Sequence, residues 1–149
     1  MRAVIQRVKS AGVKTGGNTI GSIGKGLLIY IGVERNDGEG DLEYISSKIQ
    51  ALRIFEDEKG RMNLDISEAG GEILLVSQFT LLADCRSGKR PSFDMAEGPV
   101  AAKGLIDSME RILREGGLNV ETGEFKAHME VESNNDGPVT ILIDSRKRF

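Results

Sequence analysis

Leu27-Leu28-Ile29-Tyr30-Ile31-Gly32-Val33 is an unbroken apolar run rich in β-branched and aromatic residues. It is too short for a typical helix and does not alternate as a half-exposed strand would, so it reads as a central strand buried on both faces. Upstream, Arg2 to Val8 does alternate, with Ala3, Ile5 and Arg7 on one face and Val4, Gln6 and Val8 on the other. That strand is predicted to continue to Lys14. Gly16-Gly17-Asn18 then supplies residues that tolerate positive φ, which makes Thr19 to Ile23 the returning arm of a hairpin.

Downstream of the central run, Glu34 to Gly40 is acidic and glycine-containing and reads as a loop. Asp41 is placed to cap a helix carrying Leu42, Ile45, Ile49 and Leu52 on one face. Arg53 to Glu56 reads as a short strand, Asp57 to Gly60 as a turn and Met62 to Ile66 as a further extended piece. Glu72-Ile73-Leu74-Leu75-Val76-Ser77-Gln78-Phe79 is a second buried strand. Pro91 and Pro99 bracket an irregular loop. Pro99 suits the first turn of a helix whose inner face carries Val100, Ile106, Met109, Ile112 and Leu113, and Gly116-Gly117 stops it. Val120 to Ile143 reads as strands with a sharp turn at Asn134 to Pro138.

This order predicts an α/β fold: a three-layer β/β/α domain with a mixed, largely antiparallel sheet and two main helices on one side. A single domain spanning residues 1–149 accounts for the length. A dinucleotide-binding fold is disfavoured, because Gly24-Lys25-Gly26 precedes a strand instead of following one into a helix.

Hydrophobic residues make up 39% of the chain and charged residues 29%, a balance that excludes disordered and fibrous classes. Neither a signal-peptide core nor a membrane-crossing run is present, and one cysteine, Cys85, cannot form an internal disulfide. A cytoplasmic location and no membrane partner are expected. The net charge of −3 gives no global attraction to nucleic acid. The Arg86/Lys89/Arg90 cluster and the Arg146-Lys147-Arg148 tail leave room for a local contact, although solvated surface is the plainer reading of both.

One histidine and one cysteine cannot build a Cys/His metal cluster, so neither metal nor cofactor is expected. His128 has no motif partner and reads as a strand-surface or dimer-contact residue ahead of a general base. No serine lies in a G-x-S-x-G elbow. Ser77-Gln78-Phe79-Thr80 stands out because the end of a buried strand presents polar groups from a rigid element. Asn135-Asp136-Gly137-Pro138-Val139-Thr140 has the composition of a tight turn in which proline can be cis.

Together these segments resemble the two hallmark motifs of the D-aminoacyl-tRNA deacylase family, SQFTL at Ser77 to Leu81 and NxGPVT at Asn135 to Thr140. The resemblance extends to Gln6-Arg7-Val8, Arg53-Ile54-Phe55, Gly60-Arg61-Met62-Asn63-Leu64 and Arg90-Pro91-Ser92-Phe93, and so covers essentially the whole chain. One departure lies at Gly123-Glu124-Phe125-Lys126-Ala127-His128-Met129, where the family pattern is GxFGAxM. A related group acting on misattached L-alanine has proline and alanine in place of the serine and phenylalanine of the first motif. This chain is similar to the D-specific group.

The resemblance implies a homodimeric hydrolase of translation proofreading that acts on the 3′ end of aminoacyl-tRNA, with no DNA partner. Gly137-Pro138 of one subunit would enter the pocket around Ser77 to Thr80 of the other, in the cis form, and Arg7 would hold that loop. Carbonyl oxygens there would take the substrate's α-amino group while the wall excludes an L side chain; glycine would be admitted. Met129 and Asn135 complete the implied substrate-binding set. Backbone N–H groups near Phe79 and Thr80, with Gln78 beside them, are the best oxyanion stabilisers. Thr80 lacks an evident activating base, which favours attack assisted by the terminal ribose 2′-hydroxyl. Two alternatives stay open: a non-catalytic RNA-binding or assembly module, and a deacylase for a mischarged L-amino acid.

Overall fold

The computed structural model describes all 149 residues. In chain order it contains β1 (Arg2–Thr15), β2 (Asn18–Ile23), β3 (Gly26–Gly32), α1 (Glu39–Ala51), β4 (Phe55–Glu56), β5 (Met62–Leu64) and β6 (Glu72–Ser77). A short 3₁₀ turn (Phe79–Leu82), α2 (Pro99–Glu115), β7 (Val120–Thr122) and β8 (Glu130–Asp144) follow.

β1 organises the sheet because its two halves have different neighbours. Arg2 to Val8 pairs antiparallel with β3, Ala11 to Thr15 pairs antiparallel with β2, and β8 runs along the other edge. Beyond β3, β6 and then β7 add in parallel. The sheet is therefore mixed, as its sequence order predicts.

Side-chain alternation divides the core. Leu27, Ile29, Ile31, Ile73 and Leu75 join Leu42, Ile45 and Ile49 of α1 and Met109 and Leu113 of α2, so both helices cover one face. Leu28, Leu74 and Val76 point the other way and meet Val8, Ala11, Val13 and Ile23 from the far half of β1 and from β2. The hairpin folds so closely over the sheet that a Cβ on Gly21 would lie 3.0 Å from the Thr122 carbonyl oxygen. These are the three β/β/α layers. Each fully buried Leu or Ile contributes about 1.5–3 kcal/mol, so burial on both faces outweighs any local propensity in holding β3 and β6.

Several local expectations are corrected. Asp41 is not the helix cap: α1 starts at Glu39, and the Asp41 carboxylate reaches back from the first turn to accept the Gly38 N–H at 3.0 Å. Asp41 also accepts from Ser145 Oγ at 2.6 Å, a tertiary contact that sequence spacing does not reveal. Val100 is 90% exposed, and Ala102 takes the inward position instead. With Pro99 at the first helical position, the face toward the sheet falls on 102, 109 and 113. The second buried strand stops at Ser77, where the chain turns into the 3₁₀ segment.

Asn134 to Pro138 is not a turn between two strands: Asn134 and Asn135 stay in the ladder, and the residues after them bulge within one continuous strand. Gln6 pairs with Thr140 but Val8 pairs with Asn135, so two steps along β1 face five along β8. Asp136 to Val139 consequently loop out of the ladder opposite Arg7.

Candidate active site

The first part of the site begins where β6 ends. Gln78 donates its N–H to the Ile31 carbonyl at 2.8 Å, and Leu81 donates back to the Gln78 carbonyl at 3.2 Å, which bends Phe79 to Leu82 into the 3₁₀ turn. Arg2 Nη1 donates to the Leu81 carbonyl at 2.9 Å and pins its far end. Gly32 makes the close approach possible. A Cβ there would sit 2.5 Å from Leu82 Cδ2 and 2.9 Å from the Gln78 carbonyl oxygen. As the opening residues of this turn, Phe79 and Thr80 have N–H groups with no acceptor inside it. Gln78 Nε2 donates to Thr80 Oγ1, and the Phe79 ring, 57% exposed, meets the Phe93 ring edge-on at 5.0 Å.

A cavity of about 550 Å³ opens beside this turn. Ser77, Gln78, Phe79 and Met129 line it, whereas Thr80 does not. Its inner wall is apolar, with Ile31, Val33, Val76, Ala102, Ile106 and Phe125, and its ionisable lining residues are Glu97, Lys126 and His128. The size suits a small-molecule fragment, and the apolar wall with a few polar groups is the usual form of a ligand site.

Glu97 accepts the Gly98 N–H at 2.6 Å and the Asn36 N–H at 3.2 Å, which hold its carboxyl below the usual range. A general base needs the opposite tuning. His128 lies on the loop between β7 and β8, exposed and lining the cavity, so of the two roles expected for it, strand surface or dimer contact, the first does not hold. Neither Glu97, Lys126 nor His128 hydrogen-bonds to a side chain of Ser77, Gln78 or Thr80, and no nucleophile–base pair is formed.

Lys126 has φ +66°, and Ala127 N–H donates to the Glu124 carbonyl at 3.2 Å to close its turn. This left-handed conformation costs a residue with a Cβ roughly 1–2 kcal/mol. Glycine at the corresponding place of the GxFGAxM pattern has that physical reason.

The second part is the β8 bulge. The Gly137–Pro138 peptide is cis, and Gly137 has φ +125°. Arg7, 4% exposed, donates through Nε to the Asp136 carbonyl at 3.1 Å and through Nη1 to the Ile54 carbonyl at 2.7 Å. Its Nε also lies 3.4 Å from the Asp136 carboxylate. A Cβ on Gly137 would come within 3.0 Å of Arg7 Nη2. Asn135 closes the loop from within: its Oδ1 accepts the Val139 N–H at 3.0 Å and its Nδ2 donates to Thr140 Oγ1 at 3.1 Å.

Within this chain the residues singled out from sequence thus form two groups. Ser77, Gln78, Phe79 and Met129 meet at the cavity, with Thr80 adjoining, whereas Arg7, Asn135, Gly137 and Pro138 form the bulge and do not line it. Sequence alone does not mark Gly32 and Arg2, which shape the 3₁₀ turn, or Ile106, which supplies the cavity wall together with Phe125 of the GxFGAxM stretch. Gly32 is legible only as the one small residue inside an otherwise large-residue run from Leu27 to Val33.

The family described as D-Tyr-tRNA(Tyr) deacylase matches residues 4–144. Curated relatives named D-aminoacyl-tRNA deacylase include one from Thermotoga petrophila and one from Clostridium botulinum strain Eklund 17B. Each is 54% identical over 149 residues, covering 100% of both chains. A solved structure described as a c-Myc DNA Unwinding Element Binding Protein superposes with TM-score 0.91 at 39% identity, covering 97% of this chain and 98% of that one. Another, described as a probable eukaryotic D-amino acid tRNA deacylase, has TM-score 0.77 at 16% identity over 95% and 97% of the two chains, which supports the fold alone. Whole-length sequence identity and a family match spanning both motifs lead to one conclusion: this chain belongs to the D-Tyr-tRNA(Tyr) deacylase family, hydrolases of the aminoacyl-tRNA ester.

Proposed function

We propose that this protein acts in the cytoplasm as a single-domain, homodimeric enzyme that removes D-amino acids, and glycine, from the 3′ end of tRNA. The observation that carries this reading is the separation of the motifs on one protomer. The cavity beside Ser77 to Phe79 lacks the Gly137-Pro138 loop, while that loop is held outward by Arg7 and Asn135. Two copies arranged head to head supply each cavity with the other's loop.

In the assembled site the terminal nucleoside enters the apolar cavity and its ester lies over the 3₁₀ turn. Carbonyl oxygens at Gly137 and Pro138 of the partner subunit accept hydrogen bonds from the substrate's α-ammonium group. With that group fixed, an L side chain meets the wall and a D side chain points to solvent, so selection acts on the α-carbon by exclusion. Glycine has nothing to exclude.

Hydrolysis proceeds by water attack on the ester carbonyl. The N–H groups of Phe79 and Thr80 stabilise the developing oxyanion, a contribution of about 3–4 kcal/mol for one donor in other hydrolases. The ribose 2′-hydroxyl helps position or deprotonate the water, and the 3′-oxygen leaves with a proton. Thr80 serves the turn through Gln78 and is not the nucleophile.

A substrate panel tests the class of activity. D-Tyr-tRNA and Gly-tRNA should lose their amino acids, and L-Ala-tRNA should persist. Release from L-Ala-tRNA alone would assign the chain to L-specific editing. Retained tRNA binding with no release would indicate a binding module, and tight DNA binding without release would favour the role named for the 39% identical structure.

A further inference from the structure

We infer that Lys126 is a phosphate-binding residue, whose ammonium takes the phosphodiester on the 5′ side of the terminal nucleoside. The inference rests on the deacylase reading and adds an electrostatic anchor to it. Lys126 lines the cavity, carries no ion pair or side-chain hydrogen bond in the protein, and is exposed. The acidic residue of the same lining, Glu97, is occupied by the backbone N–H groups of Gly98 and Asn36. An uncommitted cation therefore remains in the lining of a cavity whose wall is mostly apolar.

The ligand's chemistry accounts for it. A 3′-terminal nucleoside seated against Ile31, Val76 and Phe125 carries one phosphodiester on the side facing out of the cavity. The chain has net charge −3, so an approaching polyanion gains nothing from its overall field and must be met by local cations. A lysine provides a compact charge on a flexible stem, which suits a single phosphate approached from variable directions. The backbone supports the same conclusion. Lys126 occupies the left-handed region at φ +66°, where glycine is the unstrained choice. A strained side-chain-bearing residue on a ligand cavity is a recognised mark of function.

Replacing Lys126 with Gly separates relief of strain from loss of charge. Lys126→Gly should raise the urea midpoint of unfolding yet weaken use of tRNA. KM for D-Tyr-tRNA should rise about tenfold with little change in kcat, while KM for 3′-O-D-tyrosyl-adenosine, which has no phosphate, should rise far less. The slope of log(kcat/KM) against log[salt] should become shallower by about 0.7, the value for one phosphate contact on a single strand. Lys126→Arg should restore most of the tRNA affinity, and Lys59→Ala, at an exposed turn lysine, should not reproduce the loss. An unaltered KM and salt slope in Lys126→Gly, or equal losses on tRNA and nucleoside, would overturn the assignment. Wild-type turnover of both substrates reports separately on the deacylase reading. Affinity for uncharged tRNA, compared between wild type and Lys126→Gly, tests the phosphate contact whether or not turnover occurs.

Discussion

Thr80 is the residue that most invites a catalytic reading, and its surroundings argue against one. Its hydroxyl accepts from Gln78 Nε2, and no imidazole or carboxylate hydrogen-bonds to it. Deleting the hydroxyl leaves the turn backbone in place. Thr80→Ala should therefore reduce kcat less than about tenfold, whereas loss of a reacting nucleophile removes nearly all catalysis. Replacing the ribose 2′-hydroxyl by hydrogen in a 3′-linked substrate should cost about 10²-fold or more, the usual scale for lost acid–base assistance. Single-turnover hydrolysis with the variant and with the deoxy substrate checks both values. Near-complete loss in a folded Thr80→Ala protein with normal turnover of the deoxy substrate would restore Thr80 as nucleophile.

At the scale of elements, the 3₁₀ turn depends on β3 lying close enough to hold it. Gly32→Ala places a methyl group within 2.5 Å of Leu82 Cδ2 and 2.9 Å of the Gln78 carbonyl, contacts that the side chain and backbone must relieve by moving. Overpacking of this kind costs about 1–3 kcal/mol, and a 1 Å displacement of the turn costs about 10²-fold in rate. Denaturant unfolding and D-Tyr-tRNA turnover should both register the change, with turnover affected more strongly; an active, fully stable Gly32→Ala protein would contradict this role.

The elements themselves were largely legible. Continuous apolar runs marked β3 and β6, and Gly16-Gly17 marked the hairpin. Less was legible where tertiary partners decide. Local spacing alone makes Asp41 resemble a cap, while its position is set jointly by Gly38 and by Ser145 from the chain's far end. The Asn134 to Pro138 segment has turn chemistry, yet β1 pairs on both sides of it and makes it a bulge. Motif residues are visible by resemblance, Phe125 among them, but the cavity wall also needs Ile106, whose place depends on how α2 packs, which no short motif encodes.

At the scale of the molecule, two buried carboxylates join the sheet to the C-terminal segment. Glu34, two residues beyond β3, accepts from Arg146 Nη1 and Arg148 Nη1, each at 3.0 Å. The Arg148 hydrogen bond foremost holds the Glu34 carboxyl below its ordinary 4.5. Burial would raise the Asp144 carboxyl, but the Arg148 side chain and the Arg146 N–H outweigh it and keep the group below 3.8. Both folded values lie below the unfolded ones, so this stabilisation is present above about pH 4.5 and is lost as pH falls through the depressed values. Glu34→Gln should lower stability by roughly 1–3 kcal/mol at pH 7, with a smaller difference from wild type at pH 3. Urea titrations at the two pH values test this, and an equal difference at both would contradict the linkage. The proposed homodimer carries a further prediction: sedimentation should give twice the chain mass of 16.2 kDa, and a fully active monomer would rule out a shared pocket.

The proposed selection acts on chirality at the α-carbon, and the ratio of initial hydrolysis rates on tRNA carrying radiolabelled D-tyrosine or L-tyrosine measures it. The side chain, tRNA and ester are the same in the two substrates, so only the exclusion step differs. D-tyrosine should be released rapidly while L-Tyr-tRNA decays at its spontaneous rate; comparable enzyme-dependent release of both isomers would rule out selection by exclusion.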